Sequence, residues 1–136
     1  MAEKVAFELV SPERILLSEE AEMVVVPGSE GDFGVLAGHV PLISTVRPGV
    51  ISVYPTRAAA THRLFVAGGF ADVTGGRCTV LAEAATPVSD LDPAALDQEI
   101  SNLNEDLGDA ETPDERARVE RALFVARAKR QAAVLA

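Results

Sequence analysis

The residues whose types and spacing come nearest to chemistry lie in one stretch, GSEGDFGVLAGHVPL, residues 28–42. It sets Gly28, Gly31, Gly34 and Gly38 beside two carboxylates, Glu30 and Asp32, and a histidine, His39. Clustered glycines cradle a phosphate when their N–H groups lead into a helix N-terminus, and a P-loop closes with GK and a hydroxyl residue. No GK pair is present here, and the continuation VLAGHVPLISTV reads as strand. Turn geometry and close backbone approach account for the glycines better. For His39 to act as a base, a nucleophile and an orienting acid must stand near it. Ser44 and Asp32 are close in sequence, but no nucleophile-elbow motif is present. The remaining reading is a histidine hydrogen-bonded at a surface or interface. A metal site would want more ligands than His39 and His62, so no metal and no cofactor are expected. His62, in ATHRLF, reads as a solvent-facing strand residue. The acidic run SEEAE, residues 18–22, lacks the spacing of a calcium loop and reads as a solvated turn.

Composition narrows the class further. At 136 residues the chain is one domain, or a small domain with an appendage. No apolar run approaches the roughly 20 residues that span a bilayer, and the start MAEKVAFELV lacks the features of a secretory signal. The single cysteine, Cys78, cannot form an internal disulfide and reads as a small buried hydrophobe of the strand RCTVLAE. A net charge of −9 argues against nucleic acid, and one tyrosine with five phenylalanines offers little for stacking bases. The charge is uneven: residues 78–115 hold eleven acidic residues and no Lys or Arg, whereas residues 116–136 hold six basic residues and one acidic. Such a split points to a partner or to self-docking. Ten arginines against two lysines, with abundant alanine, hint at a GC-rich bacterial genome.

Two periodicities define the elements that must position these residues. In KVAFELV, Val5, Phe7 and Leu9 share one face, the period of two of a half-buried strand. MVVVP is apolar on both faces and predicts a central strand ended by Pro27 and Gly28. VISVY, HRLFVA, FADVT and RCTVLAE are the next strands, with Thr74-Gly75-Gly76-Arg77 supplying positive-φ positions for a hairpin. Many short antiparallel strands predict an N-terminal β-sandwich or flattened barrel over residues 1–87. Beyond it, Leu96, Ile100, Leu103 and Leu107 form one helical stripe, with Asp92 as N-cap, Pro93 at the first position and Gly108 ending the helix. Thr112, Pro113 and Glu115 open a second helix through a capping box. Ala117, Phe124, Ala128, Ala132 and Leu135 lie on one side of it, with Val119, Ala122, Leu123 and Ala126 beside them. Residues 88–136 therefore predict an antiparallel helical hairpin, a mainly β plus α protein overall. Its stripes are thin and rich in alanine, so little area is buried between the helices and docking, detachment or extension is expected to cost little.

Several segments in order resemble the epsilon subunit of bacterial and chloroplast F-type ATP synthases: FELVSPERILLSEEAEMVVVPG, PGSEGDFGVLAGHVPLISTVRPGVI and LFVAGGFADVTGGRCTVLAEAA. The resemblance implies a ten-stranded sandwich with a two-helix hairpin after it, and a non-catalytic central-stalk subunit that turns with the rotor while proton flow drives ATP synthesis in the alpha and beta subunits. It implies that Glu30, Gly31 and Asp32 face the ring of c subunits and that Ser11 and His39 lie near gamma. The protein would then sit at the cytoplasmic face of the bacterial inner membrane, held there only through partners. In many members the basic second helix meets an acidic segment of beta and blocks ATP hydrolysis; Arg116, Arg118, Arg121, Arg127, Lys129 and Arg130 suit that role, and equally suit pairing with the acidic first helix or with solvent. Some members bind ATP through Leu-Asp-x-x-Arg-Ala, matched here by LDPAAL, residues 91–96. Asp92 is kept, but Ala95 stands where the arginine would, which removes a phosphate partner. The rival class is a stand-alone β-sandwich binding module or enzyme that uses residues 28–38 for a phosphorylated ligand.

Overall fold

The computed structural model describes residues 3–135; Met1, Ala2, Ala136 and the side chain of Leu135 lie outside the described residues, and so do the first two residues of the segment read for a leader and the last position of the second helix's apolar side. The chain divides after Pro87 into two compact units.

The first unit contains β1 (Val5–Val10), β2 (Ile15–Ala21), β3 (Met23–Gly28), β4 (Gly31–Val35), β5 (Leu42–Val46), β6 (Gly49–Tyr54), β7 (His62–Val66), β8 (Gly69–Val73), β9 (Arg77–Leu81) and β10 (Ala85–Pro87). They form one sheet in the order β10-β7-β6-β3-β5-β8-β9-β1-β2, with β4 added to β3. Alternation does the sorting: Val5, Phe7 and Leu9 of β1 are fully buried, as are Ile51 and Val53 of β6 and Cys78 and Val80 of β9. Strands β1 to β9 all send side chains into one apolar cluster, which requires the sheet to curl upon itself. Nε2 of His62 on β7 stands 3.6 Å from Oε2 of Glu19 on β2, so strands from opposite ends of the order meet. The flattened barrel is the observed form.

Four local readings change. The run at residues 18–22 is not a turn: Ser18, Glu19, Glu20 and Ala21 belong to β2, where Phe7↔Glu19 and Val5↔Ala21 pairing turns Glu19 toward the inner side. His62 pairs with buried Val53 and is half-buried against Glu19, not simply solvent-facing. Pro27 and Gly28 do not terminate β3 but are its buried last residues, in register with Asp32 and Gly31. Neither Gly75 nor Gly76 takes positive φ. That hairpin closes instead through Thr74 N–H donating to the Arg77 carbonyl at 2.8 Å. In addition, not every contact is antiparallel: β1 runs parallel to β9, aligning Phe7 with Cys78 and Leu9 with Val80.

The second unit holds a short 3₁₀ turn (Val88–Asp90), α1 (Pro93–Asp109) and α2 (Pro113–Leu135). Asp92 caps α1 by accepting from Ala94 N at 3.0 Å, satisfying one of the free N–H groups of the first turn. Helix α1 continues past Gly108 to Asp109, where Ala110 takes over as C-cap with φ −65°, so no left-handed glycine ends it. Thr112 Oγ1 accepts from Glu115 N, while the Glu115 carboxylate reaches back to Glu111 N, one residue further than an ordinary capping box. The α1 stripe is as read, with Leu96 buried and Ile100, Leu103 and Leu107 half-buried. On α2 the buried residues are Leu123, Ala126 and Ala132, whereas Phe124 is 61% exposed and points away from that side.

Candidate functional site

The β3–β4 hairpin displays Glu30 and Asp32. Strand β3 is long and apolar, and the backbone reverses through Ser29 and Glu30, both exposed. Gly31 leaves the turn at φ +137°, a conformation that L side chains rarely adopt, and a Cβ on Gly28 would sit 2.8 Å from the Gly31 carbonyl. The turn thus demands glycine at both ends, for backbone geometry and not for an anion. Beyond the turn come β4, a loop and β5, with no helix N-terminus for a phosphate, so the phosphorylated-ligand reading of residues 28–38 finds no structural basis.

Asp32 does not hang free. Arg47, just after β5, donates from Nη2 to Asp32 Oδ1 at 2.5 Å and from Nη1 to the Gly28 carbonyl at 2.6 Å. Its backbone N–H donates to the Pro27 carbonyl at 2.9 Å, and Ser29 N–H donates to the Thr45 carbonyl at 2.9 Å. Among the described residues Glu30 has no such cation beside it and projects from the tip.

His39 sits in the β4–β5 loop. Its Nδ1 donates to the Val40 carbonyl at 2.7 Å, and its ring lies 6.5 Å from that of Phe33 on β4. Gly38 N–H donates to the Gly75 carbonyl at 2.6 Å, fastening this loop to the β8–β9 turn. Ser11 is elsewhere: its hydroxyl accepts from Arg14 N at 3.2 Å and closes the β1–β2 turn. Since Val10 aligns with Leu81 at the far end of β9, Ser11 and His39 are not brought together but mark opposite ends of the β8–β9 hairpin. Between them runs an outward row that the sequence reading overlooked. Ile43 is 76% exposed, Phe70 58% and Leu81 42%. The register Ile43↔Asp72, Thr45↔Phe70 and Phe70↔Leu81 puts all three on one face. The signal was available: these residues occupy the "polar" phase of strands whose other phase is the core.

Cys78 is fully buried on β9, and burial, helped by the charge of Asp72, pushes its thiol up to about 12. It is an inert core residue. Of the basic positions on α2, Arg116, Arg118, Arg121 and Arg127 are exposed, Lys129 is half-buried, and Arg130 Nε donates to Asp97 Oδ1 on α1 at 2.7 Å. Asp92 is occupied as a cap, and Ala95 beside it is exposed.

The profile described as "ATP synthase, Delta/Epsilon chain, beta-sandwich domain" matches residues 4–88, and the profile of the C-terminal domain of the ATP synthase epsilon chain matches residues 92–135. This protein belongs to the ATP synthase epsilon chain family. Similar epsilon chains include that of Rhodospirillum centenum, 53% identical over 95% of this chain and 91% of the relative. Those of Parvibaculum lavamentivorans (54%; 85% and 87% covered) and Rhodospirillum rubrum (50%; 94% and 95%) are similar to the same degree. In fold, this epsilon-family protein resembles a chain of the Euglena gracilis mitochondrial ATP synthase OSCP/F1/c-ring structure, with TM-score 0.83, 22% identity and 98% and 82% covered. It also resembles one of the Tetrahymena thermophila central stalk/c-ring structure, with TM-score 0.72, 11% identity and 96% and 97% covered. No helix among the described residues of this epsilon-family protein is long and apolar enough to cross a membrane.

Proposed function

We propose that this protein is a non-catalytic rotor subunit in the central stalk of a bacterial ATP synthase, held between gamma and the c ring and turning with them. The observation that carries the reading is the outward apolar row Ile43, Phe70 and Leu81, flanked by His39 at one end and Ser11 at the other. Large exposed apolar side chains gathered on one sheet face suit burial against a protein partner. Gamma is the partner assigned to that face, and the Glu30-Gly31-Asp32 tip is assigned to the polar loops of the c ring. There a carboxylate gains from a cationic group. Contact with alpha and beta falls to the helical hairpin, whose Arg116, Arg118, Arg121 and Arg127 can meet an acidic surface. The protein is peripheral at the cytoplasmic face of the inner membrane, attached through these partners. ATP sensing is not assigned, because Ala95 supplies no guanidinium for phosphate.

The test is co-purification. Ile43→Glu and Phe70→Glu should each abolish recovery of the protein with gamma while leaving its melting transition nearly unchanged, since both side chains are already in water. Retention of both variants on gamma would overturn the assignment. Comparing ATP hydrolysis by the complex with and without residues 88–136 then measures what the hairpin does: faster hydrolysis after truncation is the expected result.

A further inference from the structure

We infer that Arg47 is the positioning residue of the β3–β4 hairpin: it braces the turn and takes up the charge of Asp32, so that Glu30 is the carboxylate offered to the partner. The inference rests on the assignment of this tip to the c ring and refines it. Glu30 and Asp32 lie two positions apart and look equivalent in sequence, but the fold separates them. Arg47 spans both strands of the hairpin, reaching the Gly28 carbonyl of β3 at 2.6 Å and Asp32 Oδ1 of β4 at 2.5 Å. Its own backbone N–H holds the Pro27 carbonyl at 2.9 Å. A planar guanidinium with several donors is suited to two acceptors at once; an ammonium is not. The bond to Gly28 is partly buried, which shelters it from water better than the exposed pair with Asp32.

The charge consequence is direct. Glu30, Asp32 and Arg47 sum to one negative charge, and the Arg47–Asp32 pair cancels within itself. The groove between the tip and β5, lined by Glu30, Asp32, Phe33, Leu42 and Ile43, therefore joins one free carboxylate to exposed apolar surface. That combination fits a partner loop with a single cationic side chain whose aliphatic stem lies along Leu42, leaving Ile43 to the gamma-facing row. A partner that needed two cations would find the second carboxylate already occupied.

The experiment uses the full-length protein, alone and assembled into ATP synthase in membrane vesicles. In the isolated protein, Arg47→Ala should speed amide exchange at residues 29–33 roughly fivefold, Asp32→Asn should do so less, and the double variant should match Arg47→Ala alone. Arg47→Lys should restore only part of the protection. Glu30→Gln should leave exchange unchanged yet lower proton pumping per ATP hydrolysed. Unchanged exchange in Arg47→Ala, or additive effects in the double variant, would overturn the brace. Normal pumping by Glu30→Gln together with loosened exchange in Arg47→Ala would overturn the ring-facing assignment and leave the brace standing.

Discussion

Arg130 Nε on α2 donates to Asp97 Oδ1 on α1 at 2.7 Å, tying the two helices of the C-terminal unit near the start of the first and the end of the second. Asp97 is 60% exposed and Arg130 32%, so water screens the pair, and such pairs stabilise by about 1 kcal/mol at most. The apolar contact beneath it is thin, with Leu96, Leu123, Ala126 and Ala132 as its buried helical members. Hydrogen exchange is expected to be faster throughout α1 and α2 than in β1 or β3, and Asp97→Ala should quicken it about twofold to fivefold in the helices only. Equal protection of helices and strands would show that the helical contact is stronger than its area allows.

The entrance to α2 is held by Thr112 Oγ1 accepting from Glu115 N at 3.1 Å. Thr112→Ala is expected to cost about 1 kcal/mol, read as lost helicity by circular dichroism on heating. Thr112→Ser, which keeps the acceptor, should restore most of it.

Cys78 makes stability pH-dependent on the alkaline side. Its thiol has an ordinary value of 9.0 and is pushed to about 12 in the fold, first by burial and then by Asp72. Between those values the unfolded chain has lost a proton that the folded one keeps. Stability therefore holds below 9.0 and declines as pH rises through that window. Urea midpoints at about pH 8 and about pH 10 should differ for the natural protein, and the part due to the thiol should vanish in Cys78→Ala. Below its ordinary value a thiol reagent should label Cys78 only as fast as the domain opens.

Among the described residues, the apolar cluster of the first unit draws its buried members from Val5 to Ala82, with Ala85 against its edge. A protein truncated after Pro87 is expected to fold, with a cooperative melt and β-type circular dichroism. Within it, Phe7→Ala should cost about 3–5 kcal/mol by opening a cavity in the core. A truncated protein that failed to fold would mean that the sandwich depends on the helices.

Much of the architecture was legible because its signals are local. The period of two in Val5, Phe7 and Leu9, the stripe through Leu96, Ile100, Leu103 and Leu107, and the caps Asp92 and Thr112 involve residues within a few positions of one another. A single segment can satisfy those demands alone. The site was less legible. Glu30 and His39 could be picked out by type, but nothing local singled out Arg47, fifteen residues from Asp32, and Ile43, Phe70 and Leu81 were hidden among other strand residues. Phe124 was misplaced because α2 carries apolar residues on neighbouring faces, and of these it is Leu123 and Ala126 that the fold buries.

By itself the sequence determined which segments extend and which coil, which strand faces are apolar, and where each helix begins. Backbone geometry and the spacing of side chains along one segment are enough for that. Tertiary structure alone decided that β1 lies parallel to β9, that Glu19 turns inward toward His62, and that Arg47 claims Asp32 while Glu30 stays free. These outcomes depend on which distant partner fills each open edge and unpaired charge, and that is resolved only when the strands meet in one sheet.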